Sequence, residues 1–373
     1  ERSSHLRNRS RSDGAEYHGT NVGSRIDQNR RMALRASDDR LAVVSTESCD
    51  AHDVPNRHPE APGRLVSAVA GVRSSVPTER MRAMTPPQAS LDDLALAHDR
   101  SYLEMLIADA QSGGSQLDAD TYTARGSFDT ARRAAGAVLA AVDEVHSGRA
   151  QRAFALVRPP GHHALTDRAM GFCLVNNVAV AASKLRSEGE RVVIIDWDVH
   201  HGNGTQDIFY EDSEVMYVST HQAPHYPGTG AIGETGDGDA VGANINIPLS
   251  AGSAGDMLRA AFDDVVLPAI TEFSPSRVLL SAGFDAHRDD PLADLQLTSA
   301  DYVDLTHRVL SICPGGELVA VLEGGYDFQA LARSAGAVAA VLAGVEPTID
   351  EGEEVTSGDV NVALLSSVNE ARR

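Results

Sequence analysis

The chain has 373 residues, of which 42% are hydrophobic, enough apolar material for one large domain or at most two ordinary ones. That content excludes a wholly disordered chain, and the longest apolar runs fall short of the roughly 18 residues that a membrane span needs. The net charge of −21 disfavours nucleic acid and anionic membranes as partners and is compatible with a cationic substrate. Three scattered cysteines and the lack of a secretory pattern predict a reducing, cytoplasmic location.

The start of the chain differs in composition from the rest. Residues 1–31 are rich in Ser, Asn, Gly and Arg and have no hydrophobic period, so we predict a disordered extension over residues 1–38 and a folded domain over residues 39–373. Met32 is a candidate natural start, which would make the preceding residues foreign to the natural protein. A basic arm that binds nucleic acid is the alternative.

From Leu41 onward, short apolar runs alternate with helical patterns. Strands are predicted at Leu41–Ser45, Ala153–Val157, Val192–Asp196, Val215–Ser219, Ala243–Ile247, Val278–Ser281 and Leu318–Leu322. Helices are predicted at Phe128–His146, Val178–Ser187, Asp256–Phe273, Ser299–Ser311 and Phe328–Leu342. Ser127 is expected to cap the first helix, and Thr298 with Asp301 resembles a capping box. The acidic residues 346–354 are expected to form a solvated connection to a final helix.

This alternation indicates the fold class. Several strands are apolar throughout, as strands buried on both faces are. We therefore predict a single α/β domain with a mostly parallel central sheet and helices on both faces.

Four polar clusters each follow a predicted strand directly. They begin at Arg158, Asp196, Gly283 and Glu323. In an open parallel sheet, ligand sites lie beyond the carboxyl ends of the strands. The four clusters therefore predict one shared site at that edge.

The second and third clusters contain the residue types of a metal site. Asp198 and His200 are separated by one residue, so in extended backbone they face the same side. With Asp285 they would give a mixed nitrogen and oxygen set that suits Zn²⁺ and leaves a position open for water and substrate.

A buried ion-pair network is the alternative to a metal. Asp196 would join the two aspartates of the metal set, and each unpaired buried charge costs several kcal/mol. Arg158 and Arg288 are the basic residues in the same segments, and two cations do not balance three carboxylates. The metal hypothesis accounts better for the charges.

The remaining polar residues suit metal-assisted amide hydrolysis. One of the adjacent His162 and His163 could take a proton from water and return it to the leaving amine, while the other gives electrostatic support. Asp196 and Asn203 could orient these side chains. Tyr326, beside two glycines, could donate its hydroxyl to the developing oxyanion.

A competing motif lies at Gly228–Gly233, which satisfies the G-x-G-x-x-G pattern of dinucleotide-binding proteins. That function requires a tight turn from a strand into a helix. Here Gln222–Pro227 separates the glycines from the preceding strand, and no helical pattern follows, so we reject this interpretation.

The motifs together resemble the signature blocks of zinc-dependent histone deacetylases, a superfamily that includes acetylpolyamine amidohydrolases and acetoin-utilisation proteins. The matching blocks are Pro159–Ala164, Gly171–Asn177, Asp196–Thr205, Ser281–Asp285 and Glu323–Tyr326. The likeness runs from about residue 41 to residue 345 and implies an arginase-like and deacetylase-like fold. His58-Pro59-Glu60 with Arg64, and Asn203 in place of the aspartate of many class I enzymes, resemble the class II and bacterial branch.

The resemblance implies a role for each matching position. The implied ligands of one Zn²⁺ per chain are Asp198, His200 and Asp285. His163 matches the general base and acid, His162 the supporting imidazole and Tyr326 the phenol that polarises the carbonyl. The family also binds a structural K⁺, and the matching positions are Asp196, Asp198, His200, Ser219 and Thr220.

The substrate channel is implied in the same way. Gly171 and Phe172 match one wall of the tunnel around the acyl-lysine stem, and Tyr226 falls where the opposite wall is usually Phe. Leu292 occupies the position of an acidic gatekeeper in polyamine-selective relatives, which argues against a dedicated polyamine enzyme. Either Asp118 or Asp120 could supply the rim carboxylate that accepts a peptide N–H, and a solvated acid of the loop is the alternative.

We therefore predict zinc-dependent hydrolysis of N-acyl-lysine in proteins or peptides, releasing a carboxylate and the free amine. An acetylpolyamine amidohydrolase is the alternative enzyme, and a non-catalytic acyl-lysine-binding protein is the alternative from another class. The expected partner is an acyl-lysine protein or an acetylated small amine, without nucleic acid or membrane, and a homo-oligomer is left open.

Overall fold

The computed structural model describes residues 40–373, so the extension predicted over residues 1–38 lies outside the described residues. The strands are β1 (Leu41–Ser45), β2 (Met81–Met84), β3 (Arg152–Leu156), β4 (Val192–Asp196), β5 (Val215–Gln222), β6 (Asn244–Leu249), β7 (Arg277–Ala282) and β8 (Leu318–Leu322). All neighbours pair in parallel, in the order β2-β1-β3-β8-β7-β4-β5-β6. The predicted parallel α/β sheet is confirmed.

The α-helices of the described residues flank this sheet. They are α1 (Gly63–Ser75), α2 (Leu91–Leu94), α3 (Arg100–Ser112), α4 (Ser127–His146), α5 (Asn177–Ser187), α6 (Asn203–Phe209), α7 (Gly255–Ala261), α8 (Leu267–Phe273), α9 (Ser299–Ile312), α10 (Phe328–Leu342) and α11 (Val362–Ala371). A π-helical turn at Phe262–Val266 joins α7 to α8. Within residues 40–373, no helix is long and apolar enough to cross a bilayer.

Alternating side chains of the central strands serve two separate cores. On one face, Phe154, Ile195 and Leu280 pack with α1 and with α7 to α11. On the other face, Ala155 and Ile194 pack with α2 to α5. Because both faces are covered, the central strands are apolar throughout, which is the pattern that predicted a parallel sheet.

The predicted elements agree with the structure except at the periphery. All seven predicted strands are confirmed to within three residues, whereas the edge strand β2 was not predicted because its side chains are only half-buried. Helices α1, α2, α3 and α6 were also missed. Ser127 was wrongly predicted as a cap: it is the first residue of α4, and its hydroxyl hydrogen-bonds with His52.

Two predictions about loops had different outcomes. Asp301 accepts the N–H of Thr298 at 3.0 Å, as the capping box at the start of α9 requires. The acidic segment 346–354 was wrongly predicted as merely solvated, because Glu353 is buried and hydrogen-bonded to His287.

Candidate active site

Three buried side chains converge beyond the carboxyl ends of β4 and β7, which are paired strands. His200 Nδ1 lies 3.2 Å from Asp198 Oδ1 and 3.0 Å from Asp285 Oδ2. One ligand atom from each residue lies within 4.8 Å of the others. The structure therefore brings together the two oxygen donors and one nitrogen donor that the sequence proposed as a metal set.

Backbone groups orient the two carboxylates. Gly324 N–H donates to Asp198 Oδ2 at 2.7 Å, and Val199 N–H donates to Asp285 Oδ1 at 2.9 Å. A Cβ on Gly324 would lie 2.1 Å from Asp285 Oδ2 and 2.5 Å from Asp198 Oδ2, so only glycine fits. Burial and the neighbouring Asp198 raise the pKa of Asp285 to about 7. A divalent cation between the carboxylates would relieve this repulsion.

The adjacent histidines follow β3 and have different partners. His162 Nδ1 lies 3.0 Å from Asp196 Oδ2, and Tyr217 donates to the same oxygen at 2.9 Å. His163 Nδ1 lies 2.8 Å from Asn203 Oδ1, so an aspartate supports one ring and a neutral amide supports the other. The ring centroids are 4.1 Å apart.

These environments separate the pKa values of the two imidazoles. Burial opposes protonation of His162, but the carboxylates of Asp198 and Asp196 outweigh it and raise its pKa to about 10. Burial, together with His162 and His200, holds the pKa of His163 well below its usual range. The two environments therefore favour the protonated form of His162 and the neutral form of His163.

Glu323 holds the loop that carries both histidines. Its Oε2 accepts the N–H groups of Gly161 at 2.7 Å and His162 at 3.2 Å, and its Oε1 accepts the Ser281 hydroxyl at 3.1 Å. No role was predicted for Glu323, although it begins one of the four polar clusters. Its position directly after the buried strand β8 was the available signal.

Tyr326 lies on the loop that follows Glu323. Arg64, which is fully buried on α1, donates to the carbonyl oxygens of Gly325 at 2.6 Å and Glu323 at 2.5 Å. Its guanidinium carbon lies 4.7 Å from the centroid of the Tyr326 ring. Burial raises the pKa of Tyr326 well above its usual range, despite the opposing charge of Arg64, so the phenol remains a hydrogen-bond donor.

His163, His200 and Tyr326 line a pocket of about 220 Å³. The lining residues are Asp120, His163, Gly171, Phe172, His200, His225, Tyr226, Leu292 and Tyr326. The Tyr226 ring is perpendicular to that of His163 at 5.2 Å, and Phe172 is perpendicular to Tyr326 at 5.7 Å. All four predicted channel residues, Gly171, Phe172, Tyr226 and Leu292, thus line one pocket. His225, which stacks on His200 at 5.1 Å, was not predicted.

The chain is similar to known proteins over most of its length. Residues 58–342 match the family model described as histone deacetylase domain. The chain belongs to the histone deacetylase family. A probable deacetylase of Archaeoglobus fulgidus is 39% identical over 293 residues, covering 77% of this chain and 81% of that protein. A histone deacetylase-like amidohydrolase of Pseudomonas aeruginosa is 40% identical over 299 residues, covering 78% and 77%.

A solved structure agrees with this assignment. The crystal structure of the HDA15 HD domain superposes with a TM-score of 0.80 at 37% identity, covering 90% of this chain and 94% of that one. The chain is therefore a hydrolase of the deacetylase and amidohydrolase kind, in a metal-dependent family that acts on acetylated substrates.

The rim of this deacetylase pocket distinguishes the two candidate carboxylates. Asp120 lines the pocket, whereas Asp118 Oδ1 accepts the N–H groups of Asp120 and Thr121, each at 2.9 Å. The buried Thr121 in turn accepts the N–H of Phe172 at 3.0 Å. Asp120 is therefore the carboxylate that lines the pocket, and Asp118 shapes the loop that carries it.

The residues predicted to hold a monovalent cation also adjoin each other. Asp196 in β4 is paired with Ser219 in β5. Ser219 Oγ lies 2.9 Å from His221 Nδ1, and Thr220 Oγ1 is buried without a hydrogen-bond partner among the described residues. An unpaired buried oxygen of this kind can be satisfied by a cation.

The described residues contain a second group of potential ligands, His287, Asp289 and Glu353. Both nitrogens of His287 are already engaged, because Nε2 lies 2.9 Å from Glu353 and Nδ1 accepts the N–H of Asp289 at 3.1 Å. Glu353 also accepts the N–H of Ser299 at 3.0 Å. This group is a hydrogen-bonded anchor for the acidic segment rather than a metal site.

Proposed function

We propose that this deacetylase hydrolyses the amide of N-acyl-lysine side chains in proteins or peptides and releases a carboxylate and the free lysine amine. The observation that carries the proposal is the arrangement of one pocket: His200 of the three-residue ligand set, the imidazole of His163 and the phenol of Tyr326 line it, together with the aromatic rings of Phe172 and Tyr226. A flexible apolar stem fits between such rings, as a lysine side chain would.

The proposed resident metal is one Zn²⁺ held by Asp198, His200 and Asp285. Two carboxylates and one imidazole form a donor set that suits zinc and leaves a position open. Such an ion would polarise the amide carbonyl and lower the pKa of the attacking water towards about 7.

His163 is the proposed general base and general acid. Asn203 Oδ1 can only accept a hydrogen bond, so the proton of neutral His163 resides on Nδ1, 2.8 Å away. This leaves Nε2 free to take a proton from water and to return it to the leaving amine. His162, paired with Asp196, supports the developing negative charge from the adjacent position.

Tyr326 is the proposed donor to the carbonyl oxygen. Its ring lines the pocket, and no described residue accepts a hydrogen bond from its hydroxyl. A phenol that stays protonated can donate to the carbonyl oxygen as negative charge develops on it. A hydrogen bond that is stronger in the transition state than in the ground state accelerates the reaction.

A structural K⁺ is proposed beside the zinc site. Asp196, Asp198, the backbone at His200, Ser219 and Thr220 would hold it, and the unpaired Thr220 hydroxyl supports a cation there. Its charge would offset the carboxylates that crowd the end of β4.

A panel of amides tests the proposed function. The zinc-loaded protein should cleave acetyl-lysine peptides, and Tyr326→Phe should keep one zinc per chain while losing on the order of 10²-fold in turnover. Cleavage of acetylspermidine or acetylputrescine in preference to all peptides would instead support the polyamine alternative. Stoichiometric zinc without turnover on any acyl-lysine, including activated trifluoroacetyl-lysine, would reject the enzymatic proposal.

A further inference from the structure

The loop that carries Tyr326 is held by its backbone. Gly324 and Gly325 have no side chains to pack, and Arg64 binds the carbonyl oxygens of this loop as described above. Its N–H groups bind a second buried charge, Asp290, whose Oδ2 accepts from Tyr326 at 2.6 Å and from Asp327 at 3.2 Å. Asp290 is 5% exposed and does not line the pocket.

The other oxygen of Asp290 binds the loop that carries Leu292, a residue of the pocket lining. Its Oδ1 accepts the N–H of Leu292 at 3.0 Å, and the Leu292 carbonyl lies 2.9 Å from His225 Nε2. One carboxylate thus ties the loop of Tyr326 to the loop of Leu292, which in turn contacts the segment that carries Tyr226.

We propose that Asp290 is a positioning residue. It fixes the Tyr326 hydroxyl relative to Leu292 in the pocket lining and relative to the proposed metal ligands. It acts through Tyr326 and does not touch the substrate, so the proposal rests on the role of Tyr326 in the proposed function. Without this acceptor, a loop containing two glycines can shift, and a displacement of about 1 Å at a reacting group costs on the order of 10²-fold in rate.

The substitution Asp290→Asn is the sharpest perturbation because it keeps the shape of the side chain. An amide has one accepting oxygen and one donating nitrogen. Whichever way the amide is turned, its nitrogen faces the N–H groups of Tyr326 and Asp327 or the N–H of Leu292. The substitution therefore removes either the hydrogen bonds from Tyr326 and Asp327 or the hydrogen bond from Leu292.

A double-mutant cycle tests whether Asp290 acts through the phenol. We expect Asp290→Asn to lower kcat by about 10- to 100-fold with KM changed less than about threefold. In the Tyr326→Phe background, the same substitution should lower kcat by less than about threefold further, because the group that it positions is already gone. An unchanged kcat in the single variant, or equal losses in both backgrounds, would overturn the proposal.

Asp301→Asn is the matched control. Asp301 is also a buried carboxylate that accepts backbone N–H groups, from Thr298 at 3.0 Å and Thr356 at 3.1 Å, and its partners include no pocket residue. It should lower the melting temperature while kcat stays within about twofold. An equal loss of kcat in this control would assign the effect of Asp290 to general stability and contradict the proposal.

Two further measurements separate this inference from the proposed function. Binding of a simple hydroxamate to the zinc-loaded protein needs no turnover, and Asp290→Asn should weaken it by about the same factor as Tyr326→Phe, with no added loss in the double variant. Loss of zinc from Asp290→Asn would place Asp290 with the metal ligands and overturn the proposal. If that variant does not fold, Asp290→Glu, which displaces the carboxylate by one methylene, should show the same dependence on Tyr326.

Discussion

Gly324 illustrates how individual residues limit this site. The space for its side chain is already occupied by the carboxylate oxygens of Asp198 and Asp285, at 2.5 and 2.1 Å from an added Cβ. A methyl group must displace at least one of them. Because both oxygens belong to the proposed ligand set, we expect a methyl group here to weaken metal binding more than it lowers the free energy of unfolding.

We predict that Gly324→Ala folds but retains less than about a tenth of the zinc of the wild type after dialysis, since misplacing a ligand oxygen weakens the site. Gly233→Ala is the matched control, because a Cβ there meets nothing within 4 Å. Atomic emission on the dialysed proteins gives the metal content. Full zinc occupancy in Gly324→Ala would contradict the assignment of these ligands.

Leu292 offers a residue-scale test of substrate selectivity. It is half-buried in the pocket wall. We predict that Leu292→Glu raises kcat/KM for acetylspermidine relative to an acetyl-lysine peptide by about tenfold, because a partly buried carboxylate attracts the second amine by about 1.4 kcal/mol. Leu292→Gln supplies the same shape without charge. Equal selectivity in the two variants would show that charge at this position does not discriminate between the substrates.

At the scale of elements, the acidic segment before α11 is a structural connection. Glu353 receives hydrogen bonds from Ser299 at the start of α9 and from His287 in the loop after β7, and Arg333 of α10 lies 3.4 Å away. Burial opposes its ionisation, but the hydrogen bonds of His287 and Ser299 hold its pKa at about 2. One side chain therefore joins three elements behind the site.

This pKa gives Glu353 a pH-dependent contribution to stability. A carboxylate whose pKa is depressed by folding stabilises the folded state above its ordinary pKa of about 4.5, and the contribution is lost as the pH falls towards about 2. We predict that Glu353→Gln lowers the free energy of unfolding at pH 7 and that its difference from the wild type shrinks between pH 4.5 and the onset of acid unfolding. Denaturant titrations at several pH values measure it, and a constant difference would contradict the prediction.

The elements also show how far the sequence could predict the structure. Strands such as Val192–Asp196 were predictable because burial on both faces leaves a continuous apolar run, and the polar residues that follow them were the candidate site residues. The choice between Asp118 and Asp120 was not predictable, because both lie in one turn and only the folded loop shows which one faces the pocket.

The contacts of Arg64 and Asp290 were missed for a related reason. Each pairs with backbone groups of a distant loop, and such pairs have no local sequence period. An Arg or Asp in these segments is equally compatible with a solvated surface until the fold is known. Buried charges that bind backbone groups of a distant loop are therefore the residues that sequence patterns predict least well.

At the scale of the whole molecule, the strand order explains why distant motifs share one site. The five strands β3, β8, β7, β4 and β5 are adjacent in the sheet, and the loops after them supply both histidines, the phenol, the proposed metal ligands and Tyr226. The motifs alone predicted a common edge but not this order, which depends on the crossovers between strands.

The proposed metal would link the loops after two neighbouring strands that are distant in sequence. Asp198 and His200 follow β4, whereas Asp285 follows β7, and a ligand that binds only the folded state stabilises it by mass action. We predict that zinc at about 100 times its dissociation constant adds roughly 2.7 kcal/mol to the free energy of unfolding of the chelator-treated protein. Thermal unfolding with increasing zinc measures this gain. Tyr326→Phe should retain it and His200→Ala should lose it, whereas an equal shift in His200→Ala would mean that zinc stabilises the protein from a different site.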